Sequence, residues 1–268
     1  MPTTLDRILA ATRETLPDLH ERREEIERRA AASPDRPAFL SRWDRSRVAL
    51  IAEVKRRSPS QGTISADLDP VAHAAAYAAA GASAISVLTD GPFFGGSLED
   101  LRLVAARVSV PLLRKDFLLD ELQIAESRAV GASAVLLIVR ALSPERLREL
   151  IRAARDWDLA TLVEVHDARE LDIALEAGAP VIGVNSRNLD TFVIDIAAAW
   201  ALLARIPGDR VAIAESGMAT EADVRRAAGA GADGVLIGTA LSGAPDPTAL
   251  VRAVASVPRT GRPVTDSR

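Results

Sequence analysis

The chain is predicted to be an α/β protein, a single (β/α)8 barrel of parallel strands preceded by an N-terminal helical extension. Three observations predict it. One phrase recurs four times, as Ala80-Gly81-Ala82, Val130-Gly131-Ala132, Ala177-Gly178-Ala179 and Ala230-Gly231-Ala232, with glycines 50, 47 and 53 residues apart. Each phrase closes a helix-like stretch and leads into a short apolar run, at 84–88, 134–139, 181–184 and 234–237. Four more apolar runs lie midway, at 48–54, 110–113, 161–165 and 211–214. A glycine between helix and strand fits a left-handed helix C′ position. Nearly continuous apolar strands alternating with amphipathic helices imply parallel pairing covered on both faces. Eight such units fit a closed barrel better than a doubly wound open sheet, which usually has fewer strands.

In chain order, residues 1–47 form the extension, 48–257 the barrel and 258–268 a polar tail. Thr3 is a helix cap with Asp6 three residues on, and Leu5, Ile8 and Leu9 have helical spacing. The alternating charges of 22–29 around Ile26 read as a solvated helix face. Ser33-Pro34 and Arg36-Pro37 break the helix before the first strand, so the extension is expected across one barrel end. The clearest barrel helices are 70–80, 121–130, 144–157 and 220–230, and the tail is expected to fray.

Composition narrows the function. A net charge of −4 argues against a nucleic-acid binder driven by overall charge. With no cysteine, disulfides, thiolate nucleophiles and Cys-based metal sites are excluded. No stretch approaches the ~20 apolar residues that span a bilayer, and residues 1–32 lack a signal-peptide core. A cytoplasmic protein with no membrane partner, and a monomer, is the expectation.

The cations are uneven: 31 are arginine and two are lysine, Lys55 and Lys115, each just after an apolar run. Arginine does not give up its proton near neutral pH, whereas a partly desolvated lysine can, so lysine suits sites where protons move. The alternative is an accident of an arginine-biased composition. In a barrel, catalytic groups project from the C-terminal ends of strands. Those positions hold Glu53 and Lys55, with Ser58 in the following loop, then Lys115-Asp116-Phe117, Glu164, Asn185 and Arg187, Glu215-Ser216-Gly217, and Gly238-Thr239. A carboxylate such as Glu53 or Glu164 within an apolar strand requires a partner, and ion pairs closing the barrel mouth would also supply one. Small residues at Ser216-Gly217 and Gly238-Thr239, after the seventh and eighth strands, favour phosphate binding over simple tight turns. His20, His73 and His166 share no metal-ligand spacing, so no metal is expected.

At these residues the chain resembles the indole-3-glycerol-phosphate synthases. The phrases that carry the likeness are Glu53-Val54-Lys55-Arg56-Arg57-Ser58-Pro59-Ser60, Phe94-Gly95-Gly96-Ser97, Lys115-Asp116-Phe117, Val135-Leu136-Leu137, Val163-Glu164-Val165, Asn185-Ser186-Arg187 and Glu215-Ser216-Gly217. Thr239 stands where serine is common, and Gly95 where a larger polar residue occurs. The resemblance implies ring closure of 1-(2-carboxyphenylamino)-1-deoxyribulose 5-phosphate, an anionic sugar phosphate, to indole-3-glycerol phosphate with loss of CO2 and water and no cofactor. It implies that Lys115, a lysine of lowered pKa, protonates the ribulose carbonyl oxygen. Lys55 and Glu164 serve the later dehydration, with acid and base unassigned between them. Glu53 and Asn185 orient the lysines and hydroxyls, and Asp116 holds Lys115 or pairs with an arginine. Ser58, Phe94, Phe117, Leu136, Arg187 and Glu215 contact substrate, Phe94 and Phe117 flanking its ring or packing beneath a loop. Ser216, Gly217, Gly238 and Thr239 bind the phosphate.

Rival readings are a Schiff-base aldolase, which also needs a barrel lysine, and a phosphate-binding barrel without activity. The sibling phosphoribosylanthranilate isomerase is expected to use a cysteine base, which this chain lacks.

Overall fold

A computed structural model describes residues 3–65 and 67–261. Eight parallel strands follow one another around a closed barrel: β1 (Ala49–Val54), β2 (Ala84–Leu88), β3 (Leu112–Lys115), β4 (Ala134–Ile138), β5 (Ala160–Val165), β6 (Val181–Asn185), β7 (Val211–Glu215) and β8 (Gly234–Ile237). β1 pairs with both β2 and β8, so the barrel has no edge and the open-sheet alternative falls away. Each apolar run of the sequence is a strand, with ends shifted by one or two residues. The largest shift is in β3, where Pro111 has no amide to donate, while Arg114 and Lys115 extend the ladder opposite Val87 and Leu88.

Around the strands lie α3 (Pro70–Ala80), α4 (Leu98–Arg107), α5 (Glu121–Ala129), α6 (Pro144–Asp156), α7 (Ala168–Glu176), α8 (Ile196–Leu203), α9 (Glu221–Gly229) and α11 (Pro247–Ala255). A short turn of helix, α10 (Thr239–Ser242), directly follows β8. The longer helices start on Asp, Ser or Thr side chains that accept backbone N–H groups, from Asp69 at α3 to Asp246 at α11. The four repeat glycines all have positive φ (108°, 90°, 78° and 101°), turning the chain from helix to strand.

Strand side chains alternate between two cores. Outward residues such as Leu50, Ala52 and Val163 pack beneath the helices. Inward residues, among them Ile51, Leu113, Leu162, Ile213 and Leu236, fill the barrel. Two positions further along those strands, the inward residues are Glu53, Lys115, Glu164, Glu215 and Gly238. The polar rim is therefore the top layer of the same stack that makes the core.

α1 (Thr4–Glu21) opens with the expected capping box between Thr3 and Asp6, and Leu5, Ile8 and Leu9 join the apolar cluster that contains Phe117 and Leu136. Contrary to the expectation of a cap over one barrel end, the extension also runs down the outside. α2 (Arg23–Ala31) packs Ile26 and Ala30 with Leu122 and Ala125 of α5, so only the opposite face of that charged stretch is solvated. Further on, Trp43 reaches the opposite mouth, its Cη2 3.0 Å from where a Cβ on Gly234 would lie. The start of the tail is held, not frayed: Pro258 bridges to Arg47, and the Arg259 amide donates to the Ser46 carbonyl at 3.0 Å. Residues 262–268 of the predicted tail lie outside the described residues. No helix among the described residues is long and apolar enough to cross a membrane.

Candidate active site

A cavity of about 400 Å³ opens at the C-terminal ends of the strands. All the predicted site residues line it: Lys115, Glu164, Lys55, Glu53 and Asn185; Ser58, Phe94, Phe117, Leu136, Arg187 and Glu215; Ser216, Gly217, Gly238 and Thr239. Both lysines thus face one space. Lys55 Nζ pairs with Glu53 Oε1 at 2.9 Å, and Lys115 Nζ lies 3.3 Å from both Glu164 Oε2 and Glu215 Oε2.

These charges are almost out of water: Glu53, Glu164 and Glu215 are 4%, 1% and 2% exposed. Burial pulls the Lys115 ammonium down, but Glu215, Glu164 and Glu53 together raise it above the ordinary lysine value. This corrects the expectation of a lysine of lowered pKa. Burial likewise pushes Glu53 up, and Lys55 and Lys115 bring it below its usual range. Glu164 and Glu215 divide unequally. Burial raises both, yet Lys115 and His166 hold Glu164 low, whereas Glu215 stays well above the usual carboxylate range with Lys115 as its cation.

The scaffolding around these groups is specific. Ser242 of α10 accepts from the Lys55 amide and donates to the Glu53 carbonyl, both at 3.2 Å, fixing the end of β1. A Cβ on Gly238 would fall on Glu53 Oε1 and lie 3.0 Å from Lys55 Nζ, so this glycine makes room for the Glu53–Lys55 pair. Asp90 Oδ1 accepts from the amides of Phe93 and Phe94 at 2.7 and 2.9 Å, setting Phe94 beside Phe117 with ring centroids 6.0 Å apart. In the loop after β1, Arg56 grips Asp100 with both terminal nitrogens, at 2.7 and 3.0 Å. Arg187 is half-buried with no carboxylate partner among the described residues, and burial lowers its pKa. Ser216 and Gly217 have successive positive φ values of 65° and 72°, a backbone bend at the cavity wall.

Comparison with known proteins agrees with this geometry. The family model described as indole-3-glycerol phosphate synthase matches residues 5–254. The chain belongs to the indole-3-glycerol phosphate synthase family. The synthase of Kineococcus radiotolerans is 47% identical over 266 residues, covering 97% of this chain and 96% of that one. That of Chlorobium chlorochromatii is 46% identical, covering 89% and 95%, and that of Chlorobium phaeovibrioides 53% identical, covering 72% and 75%. Among solved structures, 3-hexulose-6-phosphate synthase superposes with a TM-score of 0.62 at 17% identity, over 78% of this chain and 99% of that one. Thiamine phosphate pyrophosphorylase from Pyrococcus furiosus gives 0.57 at 18%, over 78% and 95%. At such identities these two share the fold.

Within this synthase-family site, several partners differ from those expected. Asp116 does not hold Lys115. It turns outward to Arg114, 3.0 Å from Nη2, which is the second of the two alternatives. Asn185 touches neither lysine in the recorded bonds. Its Oδ1 accepts from the Arg187 amide at 3.0 Å and its side chain bonds Glu164. Glu215, expected to contact substrate, is the second carboxylate on Lys115. Sequence reasoning missed Ser242, Asp90 and Gly183. A Cβ at Gly183 would fall on Glu215 Oε1, and its place two residues before Asn185, pointing into the barrel, was the available signal.

Proposed function

We propose that the chain converts 1-(2-carboxyphenylamino)-1-deoxyribulose 5-phosphate to indole-3-glycerol phosphate, and that the rim residues divide the work as follows. The substrate phosphate sits against Ser216, Gly217, Gly238 and Thr239, with small side chains and a bent backbone allowing close approach. Phe94, Phe117 and Leu136 enclose the aromatic ring, while Ser58 and Arg187 meet its polar groups. Family membership supports the reaction, and one observation carries the residue roles: two ammonium groups, each paired to buried carboxylates, face a single cavity.

Chemistry begins when the ring carbon bearing the carboxylate attacks the ribulose carbonyl carbon. The carbonyl π electrons move to oxygen, and Lys115 supplies the proton. Its ammonium is held firmly by three carboxylates, so it releases the proton only as the alkoxide, a stronger base than an amine, develops. The C–C bond to the carboxylate then breaks as CO2 leaves, returning its electrons to the ring. In the dehydration, an acid protonates the departing hydroxyl while a base removes a proton from the carbon next to nitrogen. Glu164 is the better base, being ionised and aimed into the cavity, and Lys55, paired with Glu53, is the acid.

A Schiff-base aldolase needs a neutral lysine as nucleophile, and the carboxylates around Lys115 oppose that state. Purified protein given the carboxyphenylamino substrate is expected to generate indole fluorescence, with no adduct trapped by borohydride. Absence of fluorescence at micromolar enzyme would overturn the reading.

A further inference from the structure

One buried ionisable residue beside the site has no part in the mechanism above. His166 lies just beyond β5, its side chain 4% exposed, and it does not line the cavity. Both ring nitrogens face carboxylates. Nε2 is 3.3 Å from Glu164 Oε1 and Nδ1 is 3.0 Å from Glu170 Oε2, an oxygen that also accepts from the His166 amide at 2.8 Å. Glu170 is itself fixed. Its amide is capped by Asp167 at the start of α7, and its other oxygen pairs with Arg140 Nε at 2.8 Å. A chain of alternating charge therefore runs from Arg140 through Glu170, His166 and Glu164 to Lys115.

This chain breaks the symmetry between the two carboxylates that share Lys115. Both offer Oε2 to the ammonium at the same 3.3 Å. Behind Glu164, Oε1 meets the imidazole, whereas Glu215 Oε1 has no hydrogen-bond partner and rests against Gly183. We propose that His166 is a positioning residue that selects Glu164, and not Glu215, as the working base, by holding Oε1 from behind and leaving Oε2 to the reacting atoms.

The charge balance supports this. Burial lowers the imidazole, but Glu164 and Glu170 raise it to about 9, so it is a cation at neutral pH. The groups facing Glu164 are Lys115 from β3, Glu215 from β7, Glu53 and Lys55 from β1, Asn185 from β6 and His166 itself; those facing His166 are Glu164 and Glu170, with Arg140 behind. Loss of the imidazolium leaves Lys115 as the nearest cation to both glutamates, so the Glu164 carboxyl rises toward Glu215. A larger fraction of the base is then protonated at a given pH, and the acid limb of kcat moves to higher pH.

The proposal rests on Glu164 being the base, and the test separates the two. His166→Gln keeps a polar side chain without the charge. Its acid limb is expected to rise by about one to three pH units, with kcat down about tenfold on that limb, near-normal kcat above it and KM within about threefold. Glu170→Gln, which loosens the imidazole without touching Glu164, is expected to move the limb the same way by less, and it serves if His166→Gln does not fold. If folded variants keep the wild-type profile, or lose kcat equally at every pH, His166 has a packing role only and the proposal fails. Glu164→Gln run alongside reports on the underlying assignment. Retained turnover in that variant removes Glu164 as base, whereas its loss beside unshifted His166 and Glu170 variants removes only the positioning role.

Discussion

Arg114 and Lys115 are adjacent on β3, carry the same charge, and point to opposite sides of the barrel wall. The outward network is complete. Arg114 donates to Thr89, Asp116, Glu126, Ser127 and the Gln123 carbonyl at 3.0 to 3.2 Å. The inward one is not. Lys115 touches two carboxylates whose other oxygens, Glu164 Oε1 and Glu215 Oε1, lack hydrogen bonds although buried. A finished network joins strand to helix, while an unfinished one holds desolvated charge ready for a substrate. The wall between them separates stability from chemistry at single-residue resolution.

That contrast can be broken most directly by exchanging each cation for a neutral residue of similar length. Lys115→Met is expected to lower kcat by about 100- to 10,000-fold, the range of general acid catalysis, with cooperative unfolding retained. Arg114→Met is expected to cost about 3–5 kcal/mol, because Asp116 and Glu126 are left buried without their cation. Turnover per folded molecule should survive. Denaturant unfolding with active-site-normalised kinetics checks both, and a Lys115 variant less stable than the Arg114 variant would erase the distinction.

Glu215→Gln sharpens the inward side. With the native carboxyl raised, its contribution to stability is fully present below the unfolded glutamate pKa and is lost as pH rises through the folded value. The glutamine variant lacks that fall, so its melting temperature should decline less than wild type from pH 5 to 9. His166, raised to about 9, contributes stability that is complete below its unfolded value near 6.5 and lost through about pH 9, so the wild-type decline has two sources. The smallest effect is expected at the aromatic wall. Phe94→Leu should raise KM about two- to tenfold, the worth of one aromatic contact, with little change in kcat. Unchanged KM would mean that Phe94 packs beneath its loop.

The barrel was legible because both its signals are local: glycines that end helices, and apolar runs that hide on both faces. The rim was legible for a related reason. Two lysines among 33 cations stand out, and inward alternation carries each strand from core residue to polar end. The partners were not legible. Lys115 meets glutamates 49 and 100 residues away, so neither its raised pKa nor the role of Glu215 can be read before the barrel closes. Asp116 misled because its neighbour in sequence faces the other side of the wall. His166 had a local signal, its i,i+4 spacing to Glu170, that gains meaning only once Glu164 is known to be central. The extension's course along α5 depends on Ile26 and Ala30, too few apolar residues to name their target.

Gly183 carries a consequence beyond its own strand. The hollow it leaves in β6 is filled by an oxygen from β7, so a methyl group there would evict Glu215 without touching any charged residue. Positions 183 and 215 therefore form a lock and its bolt. Among kindred sequences, a side chain appearing at the first should coincide with a shorter residue at the second, a coupled drift that records the shape of the interior in the letters of two separate segments.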